Sequence, residues 1–469
     1  MKSMKSLERA ASLAPSSEAA ASSLRSTEVE PSLQYAWYVV FILMVCYALS
    51  FVDRQILSLL VGPIKRDLAI SDTRIGLLQG IAFALFYGLM GLPLGRLTDT
   101  RNRRNVIIVG VVLWSFLTGA CSAAKSFWSL FLARMGVGVG EATLSPSAFS
   151  LISDYFPKEK LGAALSVYSM GIFIGSGLAL IAGGSVVDAV TRMPVVTLPL
   201  LGAVAPWRFT FLIVGAPGLA IAPLLYTVRE PIRRQLMRAS NGTPARLQLH
   251  EVVAELRMRW QSVMGISVGM VFQSMCAYAF IAWAPAFLQR THGWSAGQSG
   301  RVLGLIILVF GCLGMSVGGR LCDHWQKKGV VEAPLRVAVV SAIGTGILFA
   351  FAMTAKQADW TMLMLAPALI FLALPIGSSY AAIQLIFPNQ VRGQVSALFL
   401  LILNLGGLSL GPLLPGLLND YVFRNEKMIG PSLAITISVA SALMLFTVRA
   451  VYNPYRIDYE RMHARHSRE

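Results

Sequence analysis

The chain reads as an all-α membrane protein, with twelve transmembrane helices in two six-helix bundles related by a parallel repeat. Three observations predict this. Of the 469 residues, 55% are hydrophobic and only 13% charged, against about 25% charged in an average soluble domain. The apolar residues gather into runs of roughly 20, the length that crosses a hydrocarbon core of about 30 Å. Short motifs from the first half also return, in the same order, in the second.

The runs fall near 36–61, 74–95, 106–124, 127–150, 161–186 and 209–227, and then near 262–288, 302–319, 335–354, 361–386, 394–418 and 432–450. Residues 1–34 are Ser/Ala-rich with mixed charge, the composition of a disordered tail. They lack the apolar core and cleavage site of a removable signal peptide. Residues 35–228 make the first bundle, 229–260 a basic linker, 261–454 the second bundle and 455–469 a tail.

The net charge is +17. Its basic residues cluster in "GRLTDTRNRRN", in residues 229–259 with seven Arg against three Glu, and after Arg449. Alternating spans put all three clusters on one face. The positive-inside rule makes that face, and both termini, cytoplasmic in the inner (plasma) membrane. The charge is then topological, and no nucleic-acid partner is expected. Cys46, Cys121, Cys276, Cys312 and Cys322 lack C-x-x-C spacing and mostly fall in spans, so inert thiols are expected, with neither metal nor cofactor.

The repeat is carried by three ordered matches. "SDTRIGLLQG" returns as "SAGQSGRVLG", pairing Ser71, Gly76 and Gly80 with Ser295, Gly300 and Gly304. "GRLTD" (95–99) returns as "GRLCD" (319–323), and "FPKEKLGAALS" as "FPNQVRGQVSA". Parallel repeats of this kind occur in secondary transporters, with the substrate site between the halves near the midplane. The loop "GRLTDTRNRR", with its weaker copy "GRLCDHWQKK", resembles the loop between helices two and three of the major facilitator superfamily. The resemblance covers about residues 35–454 and implies alternating access by rocking of one bundle against the other. In this loop Gly95 permits close helix packing. Asp99 can accept from a helix N-terminus or an Arg, and Asp323 is its counterpart in the second copy. Arg96, Arg101, Arg103 and Arg104 either tie the bundles together on the cytoplasmic side, as a gate that breaks on inward opening, or serve topology alone.

Few ionisable residues lie inside the spans: Asp53 and Arg54 in the first helix, Arg134 and Glu141 in the fourth. Such residues are costly and mark function by default. Arg134 and Glu141 are seven residues apart, about 10 Å along a helix and nearly on one face. Asp53 and Arg54 diverge by about 100°, so one faces the cavity while the other faces a neighbouring helix. All five histidines fall in loops or tails, which leaves Asp53 and Glu141 as the deep titratable acids. They serve proton coupling, bind sodium, or form a permanent structural network with the arginines. Gly136, Gly138 and Gly140 in "RMGVGVGEA" have no preceding strand to make a dinucleotide loop; they suit close helix contact.

A first helix with "DR", and a fourth with "RMGVGVGEA" followed by a Ser-rich stretch and "DYFP", resembles the spinster branch of the superfamily. That branch exports lysolipids and sphingolipid-like molecules. The organic anion:cation symporter branch is similar too. Either resemblance implies proton coupling through Asp53 and Glu141 and anion recognition through Arg54 and Arg134, with Arg54 the first candidate to meet an anionic head group. The second half offers Gln273, Tyr278, Trp283, Ser378, Ser379, Tyr380 and Asn404, each of which reads equally as packing when taken alone. Together they make an apolar half-cavity facing a charged one. The expectation is a monomeric, proton-coupled transporter of an amphiphilic anion such as a lysophospholipid. A small organic anion, a sugar acid or aromatic acid, is the alternative cargo. A non-transporting receptor is a remote third reading, and no nucleophile–base or metal-ligand set suggests an enzyme.

Overall fold

A computed structural model of the chain describes residues 32–192, 196–198, 202–231 and 249–466. The expected N-terminal tail lies almost wholly outside the described residues, as does most of the basic linker. Eleven helices are long and apolar enough to cross a membrane. The remaining crossing, the fourth, is broken in two.

The first crossing is α1 (Leu33–Leu59), started by the Ser32 hydroxyl, which accepts from the Tyr35 N–H. A short α2 (Val61–Leu68) leads to the second crossing, α3 (Asp72–Gln79) and α4 (Ile81–Thr100), bent at Gly80. The third is α5 (Arg103–Ala120). The fourth is α6 (Phe127–Glu141) and α7 (Leu144–Tyr155). Thr143 bonds back to the Gly140 carbonyl at 2.8 Å, a local bond that competes with the helix ladder, and the helix ends at Glu141. The fifth is α8 (Lys158–Thr191) and the sixth α9 (Pro206–Ile221). Between them, β1 (Val196–Leu198) and β2 (Gly202–Val204) pair as a small antiparallel hairpin, the one departure from an all-α expectation among the described residues.

After α10 (Leu249–Met258), the seventh crossing is α11 (Trp260–His292). The eighth is α12 (Ala296–Ile306) and α13 (Cys312–Lys327), joined by a wide turn. The ninth is α14 (Ala333–Thr354) and the tenth α15 (Ala358–Ala373) with α16 (Pro375–Leu385). The eleventh is α17 (Asn389–Leu403) and α18 (Ser409–Leu417), again separated by a wide turn, and the twelfth is α19 (Ile429–Ala450). The residues expected as a tail form α20 (Tyr452–His466), which is docked rather than free. Tyr455 is fully buried, Asp458 accepts from Ser262 at 2.6 Å, and Arg456 pairs with Glu332 at 2.5 Å.

Large apolar side chains cover the outside of the bundles. Phe116, Trp128, Phe351 and Phe446 are 64–70% exposed, as lipid-facing positions require.

The two ends of the molecule differ. We call the end bearing the 95–104 loop and α20 the basic face, and the other the distal face. In the distal half one apolar cluster runs through both bundles, from Ile56, Leu60 and Ile75 to Phe280, Trp283 and Leu303. Towards the basic face the apolar core splits into one cluster mainly in the first bundle and one confined to the second. The repeat follows the same division. A Cβ on Gly76 would stand 2.6 Å from the Pro412 carbonyl, and one on Gly80 2.7 Å from that of Ser409. In the other half, Gly300 would collide with the Leu180 carbonyl and Gly304 would come within 2.6 Å of that of Gly177. The repeated glycines therefore let the second crossing press on the eleventh and the eighth press on the fifth. Gly95 and Gly319, equivalent to one another at the basic face, have no heavy atom within 4 Å of a Cβ position. Among the described residues, nothing packs closely on Gly95 in this arrangement, in keeping with the divided apolar core at this face.

Candidate functional site

The cavity between the bundles is lined by Phe51, Arg54 and Gln55 of α1, Gln79 of α3, Phe83 of α4 and Arg134 of α6. Tyr278, Ile281 and Ala282 of α11, with Leu408 and Pro412, close it from the second bundle. Both sides are therefore present, a charged wall facing an apolar one.

Asp53 and Arg54 part company on α1. Arg54 turns to the cavity and is bound by Glu141, with Nε to Oε2 at 2.6 Å and Nη2 to Oε2 at 2.5 Å. Its guanidinium also lies 4.5–5.0 Å from the ring centroids of Phe51, Phe83 and Tyr87, an attractive cation–π arrangement. Arg54 is thus both neutralised and caged. Asp53 faces the interior of the first bundle, towards Thr118 of α5. One Asp53 carboxyl oxygen and the Thr118 hydroxyl both lack a hydrogen bond of normal length.

Arg134 is 1% exposed, and its Nη1 donates to the Asp53 backbone carbonyl at 3.1 Å. It sits 5.6 Å from the Phe83 centroid, and its Nε has no partner. Among the described residues no carboxylate lies within ion-pair distance of Arg134. Arg134, and not Arg54, is therefore the cavity arginine whose guanidinium makes no direct ion pair among the described residues, although Asp53 and Glu141 both lie within its electrostatic reach. Which arginine would be free was not readable from the sequence, because it depends on the rotation of α1 against α6. The glycines before Glu141 seat α6 against α4 and α5. A Cβ on Gly138 would stand 2.6 Å from the Phe83 carbonyl, and one on Gly140 2.8 Å from the Trp114 nitrogen. The expected close helix contact is what they make.

The second-bundle candidates divide. Tyr278 lines the cavity, within electrostatic reach of Arg54. Tyr380 is half-buried, edge-on to Phe399, with Tyr278 nearby. Asn404 is half-buried and opens the wide turn of the eleventh crossing. Trp283 does not reach the cavity. It is fully buried, and its indole N–H donates to the Pro412 carbonyl at 2.8 Å, which makes it a packing residue. Gln273 is spent on the Leu372 carbonyl at 2.7 Å. Gln55 and Gln79 were missed; each is one amide among many in the sequence, and only the fold brings them to one wall.

In this arrangement Arg103 and Arg104 of the basic-face loop make bonds within the first bundle. Arg103 is 1% exposed and pairs with Asp154 and, at 2.6 Å, with Glu230, so it ties the third crossing to the fourth and to the segment after the sixth. The Arg104 N–H donates to Glu230 at 3.2 Å. These bonds stay inside one bundle and do not bridge two. Arg96 and Asp323 are exposed, and the Asp99 side chain lies outside the described residues.

Among the described residues, the ion pairs that bridge the bundles are at the distal face. Asp72, fully buried, accepts from Arg290 through both Nη atoms at 2.7 and 2.8 Å, from Lys65 at 2.9 Å and from Asn419 at 2.9 Å. Asp420 accepts the N–H groups of Asp72 and Thr73 at the start of α3. Asp188, at the end of the fifth crossing, accepts from the Ser295 hydroxyl at 2.8 Å at the start of α12. Both aspartates oppose a positive helix terminus. The sequence signalled this only as "SD" and "S" at two helix starts, since Asp72 and Arg290 are distant in the chain.

Comparison with known proteins agrees with this architecture. Residues 43–412 match the Major Facilitator Superfamily. An MFS-type efflux pump of Mycolicibacterium smegmatis is 32% identical over 82% of this chain and 85% of its own length. A probable L-galactonate transporter of Escherichia coli is 26% identical over 75% of this chain and 74% of its own. Among solved structures, a bacterial homologue of the human lysosomal transporter spinster, inward-facing and occupied, is 26% identical, covering 92% of this chain and 98% of its own, with a TM-score of 0.71. With its twelve crossings, its parallel repeat and its cavity between the halves, the chain belongs to the Major Facilitator Superfamily of membrane transporters.

Proposed function

We propose that the protein is a proton-coupled secondary active transporter that moves an amphiphilic anion, of the lysophospholipid or sphingolipid-like class, by alternating access. The observation that carries this reading is Arg134, a buried guanidinium on the cavity wall with no carboxylate partner among the described residues and an unused Nε. Its guanidinium keeps an unused donor, and an anionic head group would accept from it. The wall opposite, built from Tyr278, Ile281, Ala282 and Leu408, suits an apolar body. The resemblance of the first and fourth helices to the spinster branch favours the lipid class.

In this reading Glu141 is the proton carrier. Protonation releases Arg54, and deprotonation recaptures it. Asp53 is the second titrating group, set behind the cavity wall. In this reading the basic face is cytoplasmic, as the positive-inside rule favours, with both termini inside and the inner membrane as the location. The closed distal face and parted basic face then correspond to an inward-facing state, and the protein works as a monomer.

A second reading, a small organic anion such as a sugar acid, is favoured by likeness to a galactonate transporter and by the glutamines beside the arginines. Flux into proteoliposomes under an imposed pH gradient separates the two, with labelled lysophospholipid in one arm and labelled galactonate in the other. Gradient-stimulated flux that is lost in Arg134→Ala is expected. Flux indifferent to the gradient sinks proton coupling, and an unimpaired Arg134→Ala protein removes the anion site.

A further inference from the structure

Two glutamines line the same cavity and carry side-chain atoms with nothing to bind. Gln55 is only 2% exposed, and its Oε1 has no hydrogen-bond partner. Gln79, on the second crossing, has a buried Nε2 that is likewise unpartnered. Buried polar atoms are hydrogen-bonded in the great majority of proteins, and each exception asks for an explanation. Here one atom is an acceptor and the other a donor, and Gln55 follows directly on Arg54.

We infer that Gln55 and Gln79 form a hydroxyl-recognition subsite beside the arginines, so that the cargo carries a free hydroxyl close to its anionic group. This rests on the reading of the cavity as an anion site. A hydroxyl donates one hydrogen bond and accepts others. One hydroxyl can therefore serve the Gln55 carbonyl as donor and the Gln79 amide as acceptor, which neither a bare alkyl chain nor a second carboxylate can do. Two cargo classes share this chemistry: lysophospholipids, with a free glycerol hydroxyl near the phosphate, and hydroxy acids. The subsite selects within each class, rejecting the analogue that lacks the hydroxyl, because that analogue leaves both amides unpaired.

The test measures binding to the full-length protein in nanodiscs for three matched pairs. These are 1-oleoyl-lysophosphatidic acid and its analogue without the sn-2 hydroxyl, gluconate and 2-deoxygluconate, and the neutral monooleoylglycerol and propyl oleate. The hydroxylated member of at least one pair is expected to bind about tenfold or more tighter, a modest demand on a site built to hydrogen-bond a hydroxyl. Gln55→Leu and Gln79→Leu should each reduce that ratio to within about threefold without weakening the deoxy partner's binding, the readout that excludes misfolding. Which anionic pair responds identifies the cargo class. No hydroxyl preference in any pair, or a preference that survives both leucine variants, overturns the subsite. The anion reading fails separately: a glutamine-dependent preference confined to the neutral pair and untouched by Arg134→Ala keeps the subsite and removes the anion. Anion binding that needs Arg134 without hydroxyl preference does the reverse.

Discussion

At Arg54 the guanidinium charge is balanced by Glu141 at 2.5–2.6 Å, while Arg134 on the facing helix is left with a backbone carbonyl. The two arginines should therefore respond differently to substitution. Arg54→Ala strands a buried Glu141, and breaking a pair of this kind costs about 3–5 kcal/mol. The thermal midpoint of the purified protein should drop, and the double variant Arg54→Ala/Glu141→Ala should recover part of the loss. A double variant no more stable than Arg54→Ala alone would show that the pair is not coupled. Arg134→Ala breaks no direct ion pair, so it should cost less stability than Arg54→Ala and fall mainly on cargo affinity. The four charges were legible in the sequence because charge inside an apolar run is conspicuous. Their pairing was not, since helix rotation decides it. The tryptophan at 283 shows the opposite failure: an aromatic at a plausible depth that the fold assigns to a carbonyl of its own bundle.

Among the elements, the spans and their repeat were readable from apolar length and recurring glycines. The break after Glu141 was not, because a threonine bonding to a glycine carbonyl leaves the hydropathy of the fourth run unchanged. Nor were the wide turns at Ile307–Gly311 and Asn404–Leu408 readable; turns of this type cluster at functional sites. The distal closure was hidden as well, because its ionic members sit at span ends, where charge looks ordinary. That closure makes a prediction. Asp420→Asn weakens the cap on α3, and Gly300→Leu drives a side chain into the Leu180 carbonyl. Spin labels on Ser71→Cys and Glu426→Cys, in a background lacking the native cysteines, should report a larger share of long distances in both variants. An unchanged distance distribution would mean that the distal contacts do not hold the bundles together.

For the whole molecule, the parallel repeat gives two bundles that meet tightly at one face and part at the other. Transport by rocking requires the reverse arrangement to be reachable, with the distal contacts broken and Gly95 and Gly319 brought against neighbours. Gly95→Leu should accordingly leave the present arrangement intact, since no atom lies within 4 Å of its Cβ position, and slow turnover by obstructing the closed basic face. Cargo affinity should persist while flux falls several-fold; normal flux would mean that Gly95 never enters a close contact.

The capping aspartates carry a consequence of another kind. Asp188 of the first bundle reaches the start of α12 in the second, and Asp420 of the second reaches the start of α3 in the first. Each half thus offers the other the same acidic finger and presents the same helix tip to receive it. The seam is self-complementary, as the contact in a two-fold homodimer must be. A six-helix chain bearing one finger and one tip already holds what it needs to close on its own copy. Covalent joining of two such chains then frees the halves to diverge, one acquiring the buried charges while the other stays apolar.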